Sequence, residues 1–184
     1  TKHMLEIISN IKPDIIIHLA SYQIGYHETE DVEKILNSNI LFGTQLLEAA
    51  CKNKVKYFIN TGTYWQYLNS KEENFNSLYA ASKNAFNVLL QYYSKSNLIN
   101  SVNLILYDVY GPNDPRPKLL NLMKKSDKIG KEIDLTKGEQ NIDFVHIKDT
   151  IAAYLIAIEG LSRNKFSGQY NEFLIKSGKK TKLK

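Results

Sequence analysis

Three short runs crowded with β-branched and large apolar residues, "DIIIHLA" (14–20), "VKYFINT" (55–61) and "VNLILY" (102–107), are separated by two long segments with apolar positions three and four apart. Strands apolar on both faces need cover on both faces, and parallel strands cannot be joined by a tight turn. The periodic segments at 31–53 and 77–97, with "ILFGTQLLEAA" and "AFNVLLQYY", supply crossover helices of the right length. The expected fold class is therefore α/β, a parallel sheet with flanking helices. A shorter helix over 2–11 stops ahead of Pro13, because proline restricts the residue before it. Past "YGPNDPRP" (110–117) the texture changes. "KLLNLMKK" (118–125) reads as helical, "KEIDL" (131–135) as a short strand and "KDTIAAYLIAIEGL" (148–161) as an amphipathic helix. No internal repeat or low-complexity segment is present.

Composition narrows the classes of function. A chain of 184 residues with 43% hydrophobic content supports one sizeable core. No apolar run approaches the roughly 20 residues needed to span a bilayer, and the N-terminus lacks the zones of a signal peptide. The expectation is a soluble, cytoplasmic protein with no membrane partner. The formal charge of +5 is concentrated in Lys176, Lys179, Lys180, Lys182 and Lys184, so the basic character belongs to a solvated tail and no nucleic-acid partner is expected. Cys51, the single cysteine, cannot form an internal disulfide and reads as an inert thiol on the buried face of a helix. His18 stands in a buried strand without further ligands nearby, so it reads as a hydrogen-bonded core histidine, as does His146, and no metal is expected.

One spacing points to chemistry. In "NSLYAASKNAFNVLL" (76–90), Tyr79 and Lys83 are four apart on a helix and so share a face. A phenol titrates near 10 in water, and a fixed ammonium beside it favours the phenolate. Such a pair can exchange a proton with a carbinol oxygen during hydride transfer.

The surrounding motifs, in order "PDIIIHLAS", "NILFGTQLLEAA", "FINTGT", "YAASK", "LYDVYGP" and "GEQNIDFVHIKDTIAAY", resemble the extended short-chain dehydrogenase/reductase family, the NAD-dependent epimerases, dehydratases and ketoreductases of nucleotide sugars. Within it, "NTGTYWQY", "NSLYAASKNAF" and "YDVYGPNDPRPKLL" look most like the CDP-abequose synthase branch, which reduces a nucleotide-linked 4-keto-dideoxysugar. The resemblance implies a Rossmann-like sheet, with a partial NAD(P)-binding domain over 1–112 and part of a substrate-binding region over 113–184. It makes Tyr79 the general acid/base, Lys83 its electrostatic partner and Thr63 the hydroxyl that meets the keto oxygen. Leu19, Ala20, Ser21, Asn39, Thr61 and Tyr107, with Tyr79 and Lys83, fall along the path of an NAD or NADP cofactor. Thr63, Trp65, Asp108, Arg116 and Lys118 fall on the side of a nucleotide-sugar substrate. A homodimer through helices on the sheet face is the candidate assembly.

Five departures accompany the resemblance. The family's Gly-x-x-Gly-x-x-Gly turn, which holds the cofactor pyrophosphate, does not occur in these residues, so the chain reads as a fragment of a longer enzyme. Its strand at 14–20 would then be a sheet edge. Ile142 stands where many relatives have an arginine, and Asp108 where they have an asparagine. The "GT" after Asn39 comes one residue later than in most members, and Tyr64 and Trp65 replace the acidic pair of dehydratases. The likeness to the CDP-abequose synthase branch favours reduction over epimerisation, Tyr64 and Trp65 disfavour dehydration, and a non-catalytic remnant or scaffold is the alternative of another class.

Overall fold

The three expected strands form, and they pair as parallel neighbours. A computed structural model describes residues 1–67, 74–116, 118–130, 132 and 141–182. Strands β1 (Ile15–His18), β2 (Tyr57–Thr63) and β3 (Asn100–Leu106) lie side by side, with Ile16 opposite Phe58 and Phe58 opposite Ser101. Helix α1 (Lys2–Ile11) precedes β1 and ends at Lys12, whose left-handed backbone turns the chain towards Pro13. The segment expected as one helix over 31–53 comes in three pieces: α2 (Asp31–Leu36), a π-helical turn (Asn37–Leu41) and α3 (Phe42–Lys52). Helix α4 (Leu78–Lys95) returns from β2 to β3, and its start is capped by Ser77, whose hydroxyl accepts from the Ala80 amide at 3.2 Å.

Beyond β3 the chain builds a second, smaller sheet and then comes back to the first. Strands β4 (Asp108–Tyr110) and β5 (Asn141–His146) pair in parallel, and helices α5 (Leu119–Ile129) and α6 (Ile147–Ser162) follow β4 and β5 respectively. Strand β6 (Tyr170–Ile175) then adds to β3, giving a parallel sheet in the order β1-β2-β3-β6, and β7 (Lys180–Lys182) pairs antiparallel with β5. Strands β5 and β6 are absent from the sequence reading, because Asp143 and the pair Asn171–Glu172 interrupt their apolar runs. The short strand expected over 131–135 lies, Glu132 apart, outside the described residues.

The sheet divides the interior into two cores. Alternation of side chains puts Ile16, Phe58 and Ser101 on the face covered by α1, α3 and α4, where Leu47, Phe58, Phe86 and Leu90 are wholly buried. Ile59, Val102 and Leu104 point the other way, towards Ala157 and Leu161 of α6. Gly43 lets α3 approach α4 closely: a Cβ there would stand 2.6 Å from the Phe86 ring. Cys51 is only half-buried at the rim of the first core, and burial pushes its thiol up to about 11, which fits an unreactive thiol.

Candidate active site

The C-terminal ends of β1 and β2 and the first turns of α4 bring Ser21, Thr63, Tyr79 and Lys83 to one place. Thr63 closes β2 and accepts from the Trp65 amide at 3.3 Å, which caps a single 3₁₀ turn over Tyr64–Gln66. Tyr79, in the first turn of α4, is 8% exposed, and its phenol faces the Thr63 and Ser21 hydroxyls closely enough for both to influence its titration. Trp65 meets the Tyr79 ring edge-on, with centroids 6.0 Å apart. Lys83, one turn further along, is 2% exposed, and burial lowers its ammonium to about 8.

Electrostatics here differ from the expectation that Lys83 depresses the phenol. Burial raises Tyr79, and the groups pulling it back are the Ser21 and Thr63 hydrogen bonds and the Arg116 charge. Arg116 is fixed in that position by a fork to Asp114, with Nε and Nη2 each donating at 2.7 Å. That pairing holds the Asp114 carboxyl down at about 2.

Asn39 sits at the centre of the local wiring. The π turn carries its side chain into the interior, where it is 1% exposed. Its oxygen accepts from the Tyr22 amide (2.7 Å) and the Ser21 hydroxyl (3.1 Å), and its Nδ2 donates to the Tyr22 carbonyl (3.1 Å) and to Ser82 Oγ (2.9 Å). Ser82 in turn donates to the Tyr79 carbonyl at 2.8 Å. Asn39 thus clips the loop after β1 to the helix bearing Tyr79 and Lys83. The late "GT" follows on this π turn, the kind of turn that takes up one extra residue in a helix.

The remaining sequence candidates fall in two groups. Leu19, Ala20 and Ser21 are exposed at the mouth of the site, just past β1. Thr61 faces α6 instead, and its hydroxyl is spent on the Tyr154 hydroxyl at 2.5 Å. Tyr107 stacks on Tyr64 with centroids 3.8 Å apart, and burial raises its phenol. On the substrate side, Asp108 lines a small pocket with Asp114, Lys118, Asn121, Ile142 and Phe144. Burial raises the Asp108 carboxyl against the opposing charge of Lys118, and Lys118 donates from Nζ to the Val109 carbonyl at 2.9 Å. Sequence reasoning missed Ser82 and Asp114, for which only position in the fold gives a signal.

The two histidines refine their expected roles. His18 is a core residue, 2% exposed among Phe42, Phe58 and Phe86, but its Nε2 has no hydrogen-bond partner. His146 is half-buried and caps α6, its Nδ1 accepting from the Lys148 amide at 3.2 Å. Burial, then the Lys83 charge, lowers His18 to about 4. A histidine depressed when folded and near 6.5 when unfolded takes up protons preferentially on unfolding, so stability should fall as pH drops from about 6.5 to 4, by about 3 kcal/mol. Urea titrations across that range check this, and His18→Phe should flatten the dependence. Among the described residues no cluster of three His, Cys, Asp or Glu is placed to hold a metal, and no helix is long and apolar enough to cross a membrane.

This arrangement of strand-end hydroxyl and Tyr-x-x-x-Lys helix can be set beside known proteins. The model of the NAD dependent epimerase/dehydratase family matches residues 1–171. The chain belongs to that family. It is 29% identical over 171 residues to the CDP-abequose synthase of Yersinia pseudotuberculosis, covering 91% of this chain and 57% of that protein. It is 31% identical over 178 residues to the CDP-abequose synthase of Salmonella muenchen, covering 96% of this chain and 58% of the relative. The fold matches the UDP-glucuronic acid 4-epimerase of Bacillus cereus, solved with UDP-glucuronic acid and NAD, at a TM-score of 0.86 and 23% identity, over 98% of this chain and 58% of that one. The chain therefore spans a little over half the length of these relatives.

Proposed function

We propose that the full-length protein reduces the 4-keto group of a nucleotide-linked 6-deoxy or dideoxy hexose with a nicotinamide cofactor, NAD or NADP. The observation carrying this reading is the convergence of Thr63 and the Tyr79 phenol beside the buried Lys83. The similarity to CDP-abequose synthases favours a reductase. The residues present fit a nicotinamide riboside: exposed Leu19, Ala20 and Ser21 offer backbone and a hydroxyl at the mouth of the site, with Lys83 beneath to meet ribose hydroxyls. When bound, the cofactor supplies the hydride. Thr63 donates a hydrogen bond to the keto oxygen and orients it. Tyr79 delivers its proton to the developing alkoxide, the Ser21 and Thr63 hydroxyls favouring the phenolate left behind, and the Lys83 ammonium one turn along is kept for the ribose. Arg116, close enough for Tyr79 to feel its charge, supports the same state and stands with Lys118 on the side where a diphosphate would lie. Asp108 offers an acceptor to a sugar hydroxyl or nucleobase amine. A cytoplasmic homodimer through α3 and α4 belongs to this reading, Val88 and Tyr92 on α4 being 57% and 62% exposed.

The test is an assay of the full-length protein with NADH or NADPH and nucleotide-linked 4-keto-6-deoxyhexoses. Stoichiometric cofactor oxidation with formation of the 4-hydroxy sugar is expected. Interconversion of 4-epimers without net oxidation would make it an epimerase, and no turnover with any such sugar would overturn an enzymatic role. The 184 residues alone contain no Gly-x-x-Gly-x-x-Gly turn. They should bind NAD no more tightly than the order of millimolar, about 4 kcal/mol, by calorimetry. Micromolar binding would show that pyrophosphate is anchored elsewhere.

A further inference from the structure

A polar row crosses the whole main sheet beneath α4. The register places His18, Asn60, Asn103 and Glu172 side by side on β1, β2, β3 and β6. Asn60 Nδ2 donates to Asn103 Oδ1 at 2.8 Å, and Asn103 Nδ2 donates to Glu172 Oε2 at 2.8 Å. Glu172 also accepts from Asn87 Nδ2 (3.1 Å), the Tyr170 hydroxyl (2.6 Å) and the Tyr67 hydroxyl (3.2 Å). Gly62 makes room for the row, since a Cβ there would come 3.0 Å from Asn103 Oδ1 and closer still to Ile105.

The sense of this chain is dictated from one end. An ionised carboxylate only accepts, so Asn103 must turn its amide nitrogen to Glu172 and its oxygen to Asn60. Asn60 must then turn its nitrogen to Asn103, which leaves its oxygen facing the other way. Asn60 Oδ1 is buried without a partner, and so is Nε2 of His18, its neighbour in the row. Buried polar atoms are rarely left unpaired, and two such neighbours fit a shared water. Above them runs one face of α4: Phe86 packs on the His18 ring at 5.2 Å and Asn87 bonds Glu172, and Lys83 lies one turn earlier on that face.

We propose that Asn60 is a positioning residue for Lys83, its oxygen and His18 Nε2 together holding one buried water that accepts a hydrogen bond from the Lys83 ammonium. The water donates its two protons to Asn60 Oδ1 and to neutral His18, and Glu172 acts at a distance by fixing which end of Asn60 faces it. This rests on the reading above that Lys83 works as a cation. It supplies the compensation that a nearly fully buried ammonium needs, and the low affinity of His18 for protons keeps its nitrogen available as an acceptor. The titratable and charged groups that face α4 from other elements include, among the described residues, His18 from β1, Glu48 from α3, which accepts from Tyr93, Arg116 from the loop after β4, and Tyr170 and Glu172 from β6, both bonded to Asn87, while Tyr79 and Tyr93 stand on α4 itself. Asp31 on α2 is already held by Tyr22 and Lys34.

The test is the Nζ titration of Lys83 by NMR of the full chain carrying isotope-labelled lysine, the signal being assigned with Lys83→Arg. Asn60→Leu should lower the Lys83 midpoint by about one pH unit, and Asn60→Asp should raise it. Glu172→Gln should lower it by less, because a glutamine can donate as well as accept and no longer forces the amide chain into one sense. Asn60→Asp and Glu172→Gln keep a polar group in place, so the row stays testable if Asn60→Leu does not fold. A Lys83 midpoint unmoved by these replacements overturns the proposal. Because the readout is a titration and not turnover, it stands or falls separately from the reductase reading.

Discussion

Replacing Tyr79 by phenylalanine in the full-length enzyme should lower turnover about 10²–10⁴-fold, the range that a positioned general acid contributes. The ring still fills its place against Trp65, so only the hydroxyl, which faces Ser21 and Thr63, is lost. The expected stability change is therefore within about 1.5 kcal/mol, the net worth of an ordinary hydrogen bond. Cofactor affinity should be nearly unchanged, since Leu19, Ala20, Ser21 and Lys83, the proposed cofactor contacts, remain. Steady-state kinetics with calorimetric cofactor titration separate the two effects, and near-normal turnover would remove Tyr79 from the chemistry.

The largest stability effect should come from Phe86→Ala. Phe86 is wholly buried, with its ring 6.5 Å from Phe58 and 5.2 Å from His18, and it ties α4 to β1, β2 and α3 at once. Emptying that volume should cost about 3–5 kcal/mol, a large share of the roughly 5–15 kcal/mol that stabilises a domain. Gly43 gives the prediction a sign to check. A Cβ at that position meets the Phe86 ring at 2.6 Å, so Gly43→Ala should destabilise the parent chain, yet it should recover stability in the Phe86→Ala background, where it fills the cavity. Urea midpoints of the four proteins measure the coupling, and additive effects would contradict the packing described.

The sheet and its crossover helices were legible because β1, β2 and β3 are continuous apolar runs and α4 has a clean helical period. The strand ends shifted by a residue or two towards their observed limits without changing the order. Strand β6 was hidden because Asn171 and Glu172 break its apolar run, and Glu172 makes sense there only once the neighbouring Asn103 is known. The placement of Tyr79 and Lys83 on one helix was legible from their spacing, and that of Thr63 at a strand end from the family motif. Neither the π turn nor the clip at Asn39 was, because a π turn looks like a helix to any periodicity argument. Thr61, expected along the cofactor path, has its hydroxyl paired with that of Tyr154, a partner 93 positions away that no local reading supplies. The raised phenol of Tyr79 was likewise invisible, since it comes from burial by groups that local sequence does not place together.

The π turn between α2 and α3 works as a phase adjuster. An α-helix advances by about 100° per residue, so one inserted residue would normally swing everything downstream to another face. Here the loop is wound wider for a single turn, and the residues on either side keep their bearing: Asn39 stays against Tyr22 and Ser82, and Leu46 and Leu47 stay in the core. Length can thus vary by one position at this joint while the helix bearing Tyr79 and Lys83 and the packing beneath it hold station. The same joint marks the spot where removing a residue would rotate Asn39 out of its clip and uncouple the loop after β1 from Tyr79.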